Sequence, residues 1–384
     1  MSSFANLLVT KEVVVCCGPG GVGKTTIAAA AAAAAAWRFG LKVLVITVDP
    51  ARRLADAMGL ELLDNTETEV DLGDPLVAGG KLEGGRLWAA MVNPRRGWDD
   101  LIRRHSPDPS TAARILANPL YQEIAERFVQ SHDYIAMEML YEIHSRGAYD
   151  LIVVDTPPSR NAIDLLEAPA RMGEFFSSRW LRWLTLPARS GFLAAAAKPF
   201  TLVGNRVLGP QFLGDVSEFF GLLQGMYEGF VARSAAVGEL LASDRTSFAV
   251  VTTCDASAIR ETGYFLKELA RRNLPTGALI FNKVLPAALR DRSALAAAAR
   301  MGSDAVALAE ELGEGRAGAR VLGEVAANFD RYGVVAKRHH EARVGLAGRT
   351  GIVTEVGYLD HDIADLQGLG RVGRSLLAEG PDRR

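Results

Sequence analysis

A glycine-rich segment near the start of the chain has the residue types and spacing of a phosphate-binding loop. Residues 18–25 read G-P-G-G-V-G-K-T and fit G-x-x-x-x-G-K-[ST]. An apolar run before the segment predicts a strand, and the alanines after it predict a helix. In that context the loop turns its N–H groups onto phosphate oxygens; the alternative is a chance glycine-rich turn. The expected phosphate-binding residues are Gly18, Gly20, Gly21, Val22, Gly23, Lys24, Thr25 and Thr26.

Two side chains of this loop would act on a nucleotide. Lys24 would reach the β- and γ-phosphates in a catalytic role, and Thr25 would bind Mg²⁺. Thr26 would lie near the α-phosphate. Pro19, at the second position, offers neither a charge nor a hydrogen-bond donor. The sequence therefore predicts a Mg-ATP site with one unusual position.

Two aspartates follow predicted strands. Asp49 comes after the run 42–47, and Asp155 comes after the run 151–154. Ligands of open α/β sheets bind at the carboxyl ends of the strands, so both carboxylates are expected near the loop. Asp49 would orient or deprotonate the attacking water, or it would only cap the helix that begins at Pro50. Asp155 would hold Mg²⁺ or its water shell, unless it is an ordinary strand-end residue.

Asn282 ends another predicted strand, 278–282. Its amide has both a donor and an acceptor, which suits the ring nitrogen and the exocyclic amine of adenine. An asparagine alone does not identify a base site, so this assignment depends on the motifs before it.

Composition limits the classes of function. The 384 residues carry a net charge of −2 and a pI of about 6.3, so no overall basic field would attract nucleic acid. The N-terminal residues have no basic region of a signal peptide, and no apolar run reaches the ~18 residues that span a bilayer. We therefore expect a cytoplasmic protein. Three cysteines without a C-x-x-C pair predict neither a disulfide framework nor a zinc site.

The alternation of apolar runs and helical stretches predicts an α/β fold, a P-loop NTPase with a mostly parallel sheet flanked by helices. Residues 284–349 predict one or two further helices. We expect one domain over 1–384, with its core in 10–92, 147–160 and 245–375. An inserted helical subdomain would comprise about 93–146 and 161–241. The predicted strands are 13–17, 42–47, 87–92, 151–154, 247–252, 278–282 and 351–356.

The second part of the expected helical subdomain is rich in large apolar side chains. They would form the core of that subdomain, or they would line a groove for an apolar helix or a lipid when ATP closes a dimer. The residues are Phe175, Phe176, Trp180, Trp183, Phe219, Phe220, Met226, Tyr227 and Phe230.

Five segments together resemble the ArsA-type anion-transporting ATPase family, with its deviant Walker A loop. They are GPGGVGKTT, TVDPARRLADAMG, VVDTPPSRNAIDLLEAP, VVTTCDASAIRETGYFLKEL and IFNKV, and the likeness covers roughly residues 10 to 370. The chain is most similar to single-unit actinobacterial members that work beside a paralogue. The resemblance implies a dimer with two nucleotides at its interface, and a helical subdomain that opens and closes. It also implies that Asp49 is the switch I catalytic aspartate, Asp155 the switch II aspartate and Asn282 the adenine-binding residue.

The chain departs from the family at three places. Family loops usually read G-K-G-G-x-G-K-[ST], and their first lysine reaches the partner's nucleotide; here Pro19 replaces it. Arg52 replaces the histidine of D-P-A-H, and D-T-P-P-S-R-N replaces D-T-A-P-T-G-H. The paired cysteines of the zinc-bridged members and a thiol cluster for arsenite are missing, so we expect neither zinc nor arsenite export.

Pro19 predicts a heterodimer. A lysine-bearing paralogue would complete this chain's own ATP site, whereas a homodimer would lack the crossing lysine at both sites. Two alternatives stay open: a catalytically weak, nucleotide-gated binding subunit, and a partitioning or positioning ATPase. The client of such a dimer is not specified by the sequence.

Overall fold

An eight-stranded sheet forms the centre of the protein. The computed structural model describes residues 3–48, 53–73, 85–122, 129–178, 218–359, 363 and 365–378. The order of the strands across the sheet is β3-β4-β2-β5-β1-β6-β7-β8, and every neighbouring pair is parallel except β3 with β4. The strands are β1 Val13–Cys17, β2 Lys42–Thr47, β3 Thr68–Val70, β4 Arg86–Met91, β5 Leu151–Asp155, β6 Thr246–Thr252, β7 Thr276–Val284 and β8 Ile352–Gly357.

The central strands are apolar throughout because helices cover both faces of the sheet. Every residue of β1 and of β5 is buried. Alternate residues of β1 enter opposite cores: Val13, Val15 and Cys17 on one face, and Val14 and Cys16 on the other. This is the predicted α/β fold with a mostly parallel sheet.

Thirteen α-helices surround the sheet in the described part of the chain, and residues 284–349, for which one or two helices are predicted, contain three. The reason is a break at Asp304, which ends one helix and begins the next. The helices are α1 Phe4–Thr10, α2 Lys24–Phe39, α3 Arg53–Met58, α4 Pro94–His105, α5 Pro109–Ala117, α6 Val129–Ser145, α7 Ser159–Ser177, α8 Tyr227–Ala242, α9 Ala256–Arg271, α10 Arg292–Ser303, α11 Ala305–Glu311, α12 Gly315–Ala347 and α13 Leu366–Leu377.

The alanine-rich helix α2 lies directly on the sheet. Ala28–Ala36 are all buried, and α2 contacts β1, β2, β4 and β5. On its other side it packs closely against α13, where a Cβ added to Gly373 would lie 3.0 Å from the Ala34 Cβ. Small side chains on both helices therefore let α2 fit between the sheet and α13.

The helices that follow β4 and β5 pack on one another and share a core with one face of the sheet. Trp98 of α4, Tyr134 of α6 and Phe230 of α8 lie with their ring centroids 5.8–6.2 Å apart. The limits of a helical subdomain remain a prediction. Among the described residues, no helix has both the length and the apolar character needed to cross a membrane.

The aromatic residues of the second helical part are divided by burial. Phe219, Met226, Tyr227 and Phe230 are buried, which indicates a core role for these four. Phe175 is 45% exposed and lies beside the half-buried Phe220, with ring centroids 6.1 Å apart. The side chains of Phe176, Trp180 and Trp183 lie outside the described residues.

Candidate functional site

The predicted phosphate-binding loop joins β1 to α2. Gly18 has φ +145°, and a Cβ there would lie 2.0 Å from the carbonyl oxygen of Val251, so only glycine fits. Gly21 and Gly23 also have positive φ, of +77° and +90°. Residues 18–23 thus connect a buried strand to the N-terminus of a 16-residue helix, where backbone N–H groups favour an anion.

Lys24 begins α2 and is 8% exposed. Its Nζ donates a hydrogen bond of 3.0 Å to the carbonyl oxygen of Pro19, so the lysine side chain lies back against the loop that precedes it. Thr25 and Thr26, in the first turn of α2, are half-buried, and Pro19 itself is buried within the chain. The ring at the unusual position is therefore part of the loop's packing.

Asp155 lies at the carboxyl end of β5, beside the loop. It pairs in register with Cys16 of β1 and with Thr47 of β2. Its Oδ2 accepts a hydrogen bond of 3.0 Å from Thr47 Oγ1, and the residue is fully buried. The next residue, Thr156, donates from Oγ1 to the carbonyl oxygen of Cys16 over 2.9 Å. β5 and β1 are thus joined at the edge where the loop begins.

The Cys16 thiol lies on β1 beside Asp155, its partner in the register of β5. Burial raises the pKa of Cys16 far above its ordinary value, the nearby Asp155 charge raises it further, and Lys24 opposes the rise. Burial also raises the pKa of Cys17, and it raises that of Cys254 to about 11. All three thiols are buried and protonated at neutral pH, so they serve as core residues.

Thr25 and Asp155 offer a hydroxyl and a carboxylate, the hard oxygen ligands that Mg²⁺ prefers. The described residues contain no group of three or more His, Cys, Asp or Glu side chains arranged to hold a metal. Mg²⁺ bound through phosphate oxygens, water and one or two protein oxygens does not require such a group. The predicted pair therefore fits Mg²⁺ bound together with a nucleotide.

Asn282 also contacts the loop. Its Nδ2 donates to the carbonyl oxygen of Val22 over 2.8 Å, and its Oδ1 accepts from the Lys283 N–H over 2.9 Å. The side chain is 8% exposed. The structure thus brings Asn282 to the phosphate loop, and adenine binding by this residue remains a prediction.

Asp49, with Pro50 and Arg52, lies outside the described residues. The chain leading to Asp49 leaves the sheet beside Asp155, because the Val48 N–H donates to the Asp155 carbonyl oxygen over 3.0 Å. On the other side of the loop, a Cβ added to Gly20 would lie 3.7 Å from the Pro158 Cβ. The segment that follows Asp155 therefore returns to the phosphate loop.

Thr47 is a site residue that the motifs did not identify. Its hydroxyl contacts Asp155, and the signal was present in the sequence as a hydroxyl residue that ends the apolar run before Asp49. Val251 was also missed, since its role depends on a backbone oxygen that comes close to Gly18.

The family model described as Anion-transporting ATPase matches residues 11–310. The chain is 24% identical to ATPase GET3 of Malassezia globosa over 296 residues, which cover 74% of this chain and 76% of that protein. A protein of Aquifex aeolicus that bears the name arsenical pump-driving ATPase 2 is 24% identical over 278 residues, which cover 70% of this chain and 79% of that protein. An uncharacterized protein of Streptomyces coelicolor is 29% identical over 282 residues, 72% of this chain and 63% of that protein.

Proposed function

The chain belongs to the anion-transporting ATPase family and is an ATPase, and from this premise we propose that it works as one subunit of a dimer. ATP binding and hydrolysis would open and close the helical subdomain expected over about 93–146 and 161–241, which would bind the client. The observation that supports the proposal best is that Asp155 ends β5 directly beside Cys16 of β1, the strand that leads into the loop in which Gly18 admits no side chain.

Each residue of the site has a role in phosphoryl transfer. Lys24 would release the Pro19 carbonyl and bind the β- and γ-phosphates, and Thr25 and Asp155 would hold Mg²⁺. Bound Mg²⁺ would stabilise the negative charge on the phosphate oxygens. Asp49 would orient the attacking water or accept its proton. Because Thr47 holds the Asp155 carboxylate, the metal-binding oxygen is positioned before the nucleotide arrives.

Pro19 supports a heterodimer over a homodimer. In the family, the lysine at this position is expected to serve the opposite nucleotide, and this chain keeps Lys24, Thr25 and Asp155 for its own. Loss of one positioned cation from the transition state costs ~10³–10⁵ in rate, judged by arginine fingers. We expect the chain alone to be slow and a lysine-bearing paralogue to supply the missing cation to this chain's site.

The experiment compares ATP turnover by the chain alone, by the chain with its paralogue, and by the complex whose paralogue carries a Lys→Ala change in the first loop lysine. We expect turnover to rise on assembly and to fall in the mutant complex. Fast turnover by the chain alone, or an unchanged rate in the mutant complex, would refute the heterodimer.

A catalytically weak binding subunit is the second candidate, and the uncharged Pro19 is the observation that favours it. Asp49→Asn in this chain, compared with the matching change in the paralogue, separates the two. Loss of turnover from the change in this chain supports an active site here. Loss from the change in the paralogue alone would assign hydrolysis to the partner.

The client is proposed as an apolar helix or a lipid. Support comes from the exposed Phe175 beside Phe220 at the end of α7, where an apolar ring faces solvent. Binding of an environment-sensitive dye that is equal with and without an ATP analogue would count against this part of the proposal.

A further inference from the structure

Strand β7 is irregular around Asn282, two residues before its end at Val284. The pairing of β7 with β8 shifts register between Phe281 and Val284. Lys283, inside this irregularity, has φ +57°, a left-handed conformation that non-glycine residues adopt at a cost. Two residues of the described chain other than glycine have positive φ, and Lys283 is the one beside the nucleotide site. Because this costly conformation occurs beside the nucleotide site, it needs a structural explanation.

The reason lies in what the Asn282 side chain contacts. Its Nδ2 is 2.8 Å from the Val22 carbonyl oxygen, and a Cβ added to Gly23 would lie 2.4 Å from the same nitrogen. The amide is thus packed against the peptide that joins Val22 to Gly23, the N-cap residue of α2. The Lys283 N–H fixes the other end of the amide through Oδ1 over 2.9 Å.

A hydrogen bond to this peptide determines where its N–H points. The peptide unit is planar and trans, so the Gly23 N–H is directed away from the Val22 carbonyl. Asn282 holds that carbonyl on the side of β7, and the N–H is then turned to the opposite side. In a loop of this kind the backbone N–H groups bind the phosphate oxygens. A wrong orientation of the Val22–Gly23 peptide would therefore turn one of these N–H groups away from the phosphate.

We propose that Asn282 is a positioning residue for the phosphate loop, acting through the Val22–Gly23 peptide. This inference rests on the proposed function and gives Asn282 a role that does not require the base. The amide has two donor hydrogens and two acceptor positions, so one of each remains for adenine after the two bonds described. Asn282 then connects the loop that holds the phosphates to the strand end expected to meet the base.

A ligand without a base tests the proposal. Binding of ATP and of inorganic tripolyphosphate, each with Mg²⁺, is measured by calorimetry on the full chain, assembled with its paralogue if needed. We expect Asn282→Ala to weaken both ligands by a similar factor, about 10-fold, as for a lost hydrogen bond of ordinary strength. Weaker binding of ATP with unchanged tripolyphosphate binding would make Asn282 a base-binding residue only and overturn the proposal.

Two further variants keep the test decisive. Asn282→Leu keeps about the volume of the side chain and removes the donor to Val22 without adding a charge, so it should weaken both ligands by a similar factor, even if Asn282→Ala folds poorly. Asn273→Gly is the matched control, since Asn273 precedes β7 at its other end, also has positive φ and should leave both affinities unchanged. A wild-type chain that binds neither ligand would contradict the proposed function instead.

Turnover gives an independent measure in the assembled complex. A misplaced phosphate loop should lower kcat as well as raise KM, because it also misaligns the transferred phosphate. Loss of a base contact would raise KM and leave kcat unchanged, and that result would again overturn the proposal.

Discussion

Thr47 Oγ1 donates a hydrogen bond of 3.0 Å to Asp155 Oδ2, and the two residues are also direct neighbours in the register of β2 and β5. One residue further along, the Val48 N–H donates to the Asp155 carbonyl oxygen. The strands that lead to the two expected switch aspartates are therefore joined at their carboxyl ends. Any movement of the segments that follow these two strands therefore begins beyond the hydrogen-bonded pair of Thr47 and Asp155.

We expect Thr47→Val to raise the Mg²⁺ concentration that turnover requires. Valine keeps the shape of threonine but removes the donor to a fully buried carboxylate, which costs roughly 1.5–3 kcal/mol for a bond to a charged group. A titration of ATPase activity with Mg²⁺ should show a higher concentration at half-maximal rate. Thr47→Ser, which keeps the hydroxyl, is the control, and equal curves for valine and serine would contradict the role given to Thr47.

We expect Gly18→Ala to be far more damaging than Gly21→Ala. The added Cβ at Gly18 would lie 2.0 Å from a backbone oxygen of β6, whereas at Gly21 no atom lies within 4 Å. Gly21→Ala should cost only the conformational penalty of a positive φ, about 1–2 kcal/mol. Denaturant unfolding should show a loss of several kcal/mol for Gly18→Ala. Similar losses in the two variants would argue against this packing of the loop on β6.

A buried ion pair gives a pH-dependent prediction. Glu138 accepts a hydrogen bond of 2.7 Å from the Tyr134 hydroxyl and forms an ion pair with Arg233. Burial raises the pKa of Glu138 above its ordinary value, although Arg233 lowers it. Arg233→Met would leave a buried carboxylate without its cation, which costs about 3–5 kcal/mol at neutral pH.

The loss in Arg233→Met should shrink toward acidic pH. A carboxyl with a raised pKa in the folded state contributes stability below its unfolded pKa, and that contribution is lost as the pH rises through the folded pKa. Unfolding free energies at pH 5 and pH 8 measure the effect. The control is Arg233→Met with Glu138→Gln, whose stability should change less between these two pH values, and a loss independent of pH in the single variant would contradict the assignment.

Asp133 gives a second pH-dependent prediction, in which the substitution stabilises the protein instead of destabilising it. Burial and the nearby Asp164 raise the pKa of Asp133 to about 6, and Arg171 opposes the rise. Its stabilising contribution is present below about pH 4 and is lost as the pH rises through 6. Asp133→Asn, which cannot ionise, should therefore be more stable than wild type at pH 7, on the order of 1 kcal/mol after solvent screening.

The measurement for Asp133 is chemical unfolding between pH 4 and pH 7. The gap between Asp133→Asn and wild type should open across this range and stay constant above it. Asp244→Asn, at an exposed aspartate, serves as the control. Stability curves that stay parallel for Asp133→Asn and wild type would show that Asp133 ionises equally in the folded and unfolded chains.

The sequence predicted the features of the fold that depend on local pattern. The buried parallel strands are continuous apolar runs, and β1 and β2 begin and end at the predicted residues. β3 was missed because its three residues, Thr68–Val70, lie at the sheet edge and are too few to show a period. The break at Asp304 was missed because the helices on both sides of it are rich in alanine.

The site was predictable where one motif contains all its parts, and less so where it depends on distant contacts. The loop of residues 18–25 was recognisable since its glycines, lysine and threonine are consecutive. The contact of Asn282 with Val22 joins residues 260 positions apart and depends on an irregular strand, which no local pattern announces. The catalytic role of Asp49 remains a prediction, because the residue lies outside the described part of the chain.

The burial of all three thiols has a practical consequence for spectroscopy. Cys16 and Cys17 are 0% exposed and Cys254 is 4% exposed, so maleimide reagents should find no native target while the protein is folded. A cysteine introduced at Val344 of α12, a position 61% exposed, would then be the single labelled site without removal of any native residue. Two cysteines introduced at exposed positions of different helices would carry a fluorophore pair, which would report the distance between those helices as nucleotide binds.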